Sequence, residues 1–159
     1  MAIDDWNWRL ARDPQDYAWD CAACSLAWCL RTIGLDYSEQ EVIEALGPTR
    51  ISPTLGLLDA SGRGLVSWLG EIGIDADNNP NASWSDVIAA GGFQPMLIGG
   101  RSWYHWTAVR MGPFAANHPD VDVLLLMNPA EGYMNVSQTL TSAQFAALGP
   151  FSAVWLSSW

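Results

Sequence analysis

The chain of 159 residues is half hydrophobic and carries 17 acidic against seven basic residues, for a formal net charge of −10 and a pI near 4.2. Such a surface repels nucleic-acid phosphates and anionic membranes, which excludes both as partners. No apolar run reaches the ~18 residues needed to cross a bilayer, and the length suits one domain, residues 1–159, able to build a core without disulfide staples.

The start, MAIDDWNWRLARD, has acidic residues where a signal peptide would be basic, so a cytoplasmic location is expected, with release by lysis or a non-standard route left open. Residues 1–19 are polar and aromatic, and Pro14 and Gln15 lead toward a helix. From Cys21 to about Ile33, Leu26, Ala27, Leu30 and Ile33 recur at helical spacing, and Gly34 supplies the stop. Ser38 with Glu41 forms a capping-box signature for a second helix ending near Gly47. After the connection GPTRISPTLG, a third helix is predicted over about Ser61–Ile72, with Gly62 and Gly64 weakening its first turn, and a short fourth over Ser83–Ala90.

After Gly92 the pattern changes. PMLIGG, HWTAVRMG and VDVLLLMNPA are short apolar or alternating runs bounded by Gly, Pro and Asn, as strands are. TSAQFAALG adds a helix and FSAVWLSS a last strand. Helices first and strands later predict an α+β fold, with a largely antiparallel C-terminal sheet packed on the N-terminal helices. All seven basic residues are Arg, and of the ten Trp several are expected at a cleft or an interface.

The three cysteines lie between Cys21 and Cys29 on one predicted helix, which is no secreted disulfide framework. Cys21 opens that helix, where unpaired N–H groups and the macrodipole are expected to lower a thiol pKa, making it the nucleophile candidate. A thiolate needs a base, a group to orient the base, and donors for the oxyanion. His105 heads a strand and serves as the base. His118, in the turn ANHPD, reads as a solvated loop histidine. Asn128 ends the next strand, and a hairpin pairing would let it approach the His105 ring. Gln15, six residues before Cys21, can join the Cys21 N–H as oxyanion donor. Trp103 and Trp106, in IGGRSWYHW, are expected to flank the cleft. Cys24 and Cys29 read as small buried hydrophobes. Cys21 and Cys24 also spell C-x-x-C, but a redox pair wants a strand before the helix, and zinc wants two more ligands. No metal or cofactor is expected.

In this order and spacing, Gln15, Asp20-Cys21-Ala22, His105 in YHWTAVRMG, Asn128-Pro129, Gly132 and TSAQFAALG make the chain resemble the bacteriocin-processing branch of papain-like cysteine peptidases. That is family thirty-nine of the cysteine peptidases, here in a transporter-free form, and the likeness runs from residue 14 to 156. It implies a papain-like fold, a peptide or protein substrate, and hydrolysis after small residues through a Cys21-His105-Asn128 triad. Two positions depart from the pattern: Ala22 replaces the usual Gly, and its methyl is expected to narrow the approach to Cys21 or to shift the local backbone, while Asn128 replaces the commoner Asp. Asp20 is expected to cap the helix or face outward, since an inward carboxylate opposes thiolate formation. No G-x-x-x-x-G-K-[ST] loop is present to power an exporter. The alternatives are a peptidase-like binding or regulatory domain without turnover, a bacterial or phage cell-wall lysin module acting on stem peptides, and a cysteine-dependent acyl or amide transferase. NlpC-type enzymes, with Asp-Cys-Ser-Gly, fit DCAA less well. The sequence leaves the oligomeric state open.

Overall fold

A computed structural model of the chain describes residues 19–91, 94–100, 105–110, 123–127 and 138–159. Helix α1 spans Cys21–Thr32, and every residue of it except Arg31 is buried. A helix buried all round sits at the centre of a protein. The small residues Ala22, Ala23, Ser25, Ala27 and Cys29 make this possible, because they let the helix backbone approach a sheet closely. Its end follows the sequence: Gly34, at φ 88°, turns the chain, and the Leu35 N–H closes back on the Leu30 carbonyl at 3.0 Å.

Helix α2 (Glu39–Leu46) begins with the expected capping box, in which Ser38 Oγ accepts the Glu41 N–H and the Glu41 carboxylate accepts the Ser38 N–H. Two short strands, β1 (Ile51–Ser52) and β2 (Gly56–Leu57), then form an antiparallel hairpin. Helix α3 (Arg63–Glu71) starts one residue beyond Gly62, whose left-handed backbone at φ 81° stands outside the helix.

Strands β3 (Asp75–Ala82), β4 (Met96–Gly100), β5 (His105–Arg110), β6 (Val123–Met127), β7 (Gln138–Thr141) and β8 (Phe151–Ser158) make one antiparallel sheet in the order β3-β8-β4-β5-β6-β7. Helices α4 (Trp84–Gly91) and α5 (Ser142–Leu148) complete the elements. β3 has no apolar alternation (DADNNPNA), and the sequence reading placed no strand there. It exists because β8 offers it a full row of backbone partners, and at the sheet edge Pro80 costs no ladder bond. β1, β2 and β7 were likewise not expected.

Side chains alternate across the sheet, as a two-residue period dictates. Leu97, Trp106, Ala108, Val154 and Leu156 face the layer of α1, α2 and α3. Met96, Ile98, Val109, Phe151 and Ala153 face α4 and α5, where Phe145 stacks on Phe151 with ring centroids 4.4 Å apart. The architecture is α+β, with helices on an antiparallel sheet. Among the described residues no helix is long and apolar enough to cross a membrane.

Candidate active site

Cys21 is the first residue of α1, and α1 packs directly on β5, whose first residue is His105. The two elements are stitched at one peptide unit. Trp106, immediately after His105, donates its N–H to Cys21 Sγ at 3.4 Å, and Ser25 Oγ donates to the Trp106 carbonyl at 3.4 Å. Cys21 and Ser25 are four residues apart and so share a helix face. One turn of α1 therefore grips both polar groups of the Trp106 backbone and fixes the start of β5 against the thiol.

Cys21, His105 and Trp106 line one cavity of about 750 Å³, with Trp19, the hairpin residues 53–57, Ala60, Gly99 and Gly100 completing the wall. Cys21 is 8% exposed and His105 half-buried. Across the β4–β5 ladder, Gly100 faces His105 and Gly99 faces Trp106. Neither glycine has a side chain to fill the space. The Trp106 indole occupies the room over Gly99. Among the described residues, Cys21 and His105 alone of the lining carry an ionisable side chain.

The same architecture occurs in the crystal structure of a double glycine motif protease from an AMS/PCAT transporter in complex with the leader peptide. The TM-score is 0.65 at 16% identity, over 92% of this chain and 91% of that one. The peptidase domain of Streptococcus ComA, a bi-functional ABC transporter involved in a quorum sensing pathway, gives a TM-score of 0.67 at 15% identity. Here 93% of this chain and 98% of that chain are covered. The chain has their peptidase fold. Both neighbours are peptidases of transporters, and their fold is the one the sequence motifs implied. No family model matches the sequence, and no curated protein matches it.

Within this peptidase fold two expectations about the first turn of α1 are corrected. Asp20 neither caps the helix nor faces outward. It is fully buried, and its backbone at φ −99°, ψ 15° is not the extended conformation from which an N-cap side chain reaches the first turn. The Cys21 thiol is raised above its ordinary value, not lowered. Burial is the largest cause and outweighs the N–H groups of Trp106 and Ala22, while the Asp20 charge raises it further. A third expectation, that the Ala22 methyl narrows the approach to Cys21, is corrected too: the residue is fully buried in the core and is not among the described residues of the cavity wall.

Gln15, Trp103, His118, Asn128 and Gly132 lie outside the described residues. The β5–β6 pairing is present, with Met127, the residue before Asn128, opposite Ala108. Cys24 and Cys29 are buried, and Cys29 donates to the Met96 carbonyl at 3.6 Å. Sequence reasoning missed the β1–β2 hairpin as a cavity wall. The available signal was S-P-T-L-G between the apolar Ile51 and Leu57, a turn sequence with a leucine at its tip.

The backbone grip has a testable consequence. Ser25→Ala is expected to lower stability by about 1 kcal/mol, the worth of one buried neutral hydrogen bond. It should also move Cys21 alkylation to higher pH as the Trp106 N–H loosens. Ser25→Thr, which keeps the hydroxyl, should restore the alkylation profile. Chemical unfolding and mass-mapped iodoacetamide labelling read the two effects.

Proposed function

We propose that this chain is a cysteine peptidase that hydrolyses peptide bonds through an acyl-enzyme. In this reading the Cys21 thiolate, paired with the His105 imidazolium, attacks the carbonyl carbon, and the oxyanion is held by the Cys21 N–H and the Gln15 amide. His105 then protonates the leaving amine as the C–N bond breaks. A water molecule, deprotonated by His105, releases the acid and returns the thiolate. Asn128 keeps the imidazole in plane. The observation that carries this reading is that Cys21 and His105 line the same cavity at the junction of α1 and β5, on a peptidase fold. The raised pKa of Cys21 sets what the reading requires: burial leaves the thiol a poor nucleophile, and in this reading the His105 imidazolium supplies the positive charge that makes the thiolate.

The cavity also bears on the substrate. The Trp106 indole fills the room over Gly99 and narrows the cavity there, which favours small residues at the acyl position. One neighbour binds a leader peptide, and a peptide is the ligand this neutral, largely apolar cavity suits. Leu55, 77% exposed at the hairpin tip, stands on the wall as an apolar contact for a flanking substrate side chain. Leu55→Asp is expected to raise KM on the order of tenfold for peptides with an apolar flanking residue, with kcat little changed, the pattern of lost uniform binding.

The deciding experiment is incubation of the protein with a peptide pool, read by mass spectrometry against Cys21→Ala. Cleavage after Gly, Ala or Ser that disappears in Cys21→Ala is expected. Cleavage that persists in the variant, or an untouched pool, would overturn the assignment.

A further inference from the structure

We propose that Cys21 and Cys24 form a reversible disulfide when the protein meets a hydroperoxide, which makes the first turn of α1 an oxidative modification site. None of the three cysteines is in a disulfide, and they differ in what they can reach. Cys21 opens onto the cavity, so peroxide can approach it. Cys24 stands one turn further along, buried beneath the same turn, in a regular helix whose first bond runs from the Cys24 N–H to the Asp20 carbonyl at 2.9 Å. Positions i and i+3 of an α-helix hold their Cα atoms ~5 Å apart, inside the range of about 4.4–6.8 Å that a disulfide spans. Cys29 lies eight residues from Cys21, about 12 Å along the axis, and its thiol points to the Met96 carbonyl. Cys24 is thus the resolving thiol within reach.

The chemistry balances with a peroxide as the two-electron oxidant. The Cys21 sulfur attacks the O–O bond, giving sulfenic acid and one molecule of water or alcohol. The Cys24 sulfur then displaces hydroxide from the Cys21 sulfur, and the thiol proton leaves with it as a second water. A small dithiol reverses the bond by exchange. With Cys24 present the oxidised nucleophile is held in a recoverable state; without it the sulfenic acid proceeds to sulfinic acid, which thiols do not reduce.

The inference rests on the reading of Cys21 as a reactive thiol and not on peptide hydrolysis, and mass separates the two. The native protein is treated with hydrogen peroxide, its remaining thiols are alkylated, and the segment 13–31, bounded by Arg12 and Arg31 and holding all three cysteines, is mapped by fragmentation. The wild type is expected to lose about 2 Da, with the bond between Cys21 and Cys24 and Cys29 still alkylated, and to return fully with dithiothreitol. Cys24→Ser is expected to gain about 32 Da at Cys21 and to stay modified in dithiothreitol. A wild type that goes directly to sulfinic acid, a bond that includes Cys29, or a Cys24→Ser protein that recovers in dithiothreitol would overturn the proposal. If Cys24→Ser fails to fold, Cys24→Ala serves the same comparison, and the wild-type map decides alone. Loss of the 2 Da with no cleavage of any peptide would sink the peptidase reading and leave this one standing.

Discussion

Replacing His105 by Ala is expected to abolish turnover and to turn Cys21 from a thiol that alkylates below pH 7 into one that alkylates only in alkali. The direction follows from the surroundings of the sulfur. Burial raises the Cys21 pKa above its ordinary value, and the nearby N–H groups only partly offset it. A raised thiol pKa means the neutral form dominates until the pH passes that value, so at pH 7 little of Cys21 would be thiolate without a cationic partner. An imidazolium reverses this by stabilising the charged form. In His105→Ala the alkylation rate at pH 7 should therefore fall on the order of 100-fold, while Cys24 and Cys29 stay slow in both proteins. Iodoacetamide labelling from about pH 4 to pH 9, assigned by mass, makes the measurement. Equal profiles in the two proteins would remove His105 from the site.

Trp106→Ala is expected to cost about 3–5 kcal/mol, because it empties a buried indole from the wall between α1 and the sheet. Gly99→Ala tests the same contact from the other strand. A methyl at position 99 would stand 2.7 Å from Trp106 Cζ2 and closer still to Cδ2 and Cε2. The indole would have to leave its slot, at an overpacking cost of about 1–3 kcal/mol. Gly62 crowds the ring from another side, since a Cβ there would lie 3.2 Å from Trp106 Cη2. The sharper expectation is non-additivity. With the indole removed, the methyl at 99 has nothing to strike, so Gly99→Ala should become nearly neutral in the Trp106→Ala background. Denaturant unfolding of the two single variants and the double variant closes the cycle. Additive costs would mean that the ring and Gly99 do not share the space.

How far the sequence could be read depended on whether a residue's role is local. The Ser38–Glu41 capping box, the Gly34 stop and the apolar strands after Pro95 are decided by neighbours in the chain, and they lie where periodicity put them. β3 could not be seen this way, because DADNNPNA has no inward apolar face and takes its conformation from β8, some 75 residues later. The pair β1 and β2 is too short for any period to register. At the site, Cys21 and His105 were legible from residue type and order, and the fold brings them to one cavity. The direction of the Cys21 shift was not legible. The helix terminus argues for a lowered value, and only the packing of β5 over the first turn shows that desolvation wins. The burial of Asp20 has the same origin in tertiary packing.

The position of β8 governs when the cavity can exist at all. Residues 151–158 lie between β3 and β4, and they hold Gly99 and Gly100 from the side opposite β5. A growing chain that has reached β5 already contains Cys21 and His105, yet the place between β3 and β4 is empty until residue 158 has been made. Pairings this distant in sequence form late, since the loop they close must first be ordered. A chain in which β8 has yet to pair therefore holds Cys21 and His105 without the finished cavity wall, so the cavity arrives with β8 and not with α1.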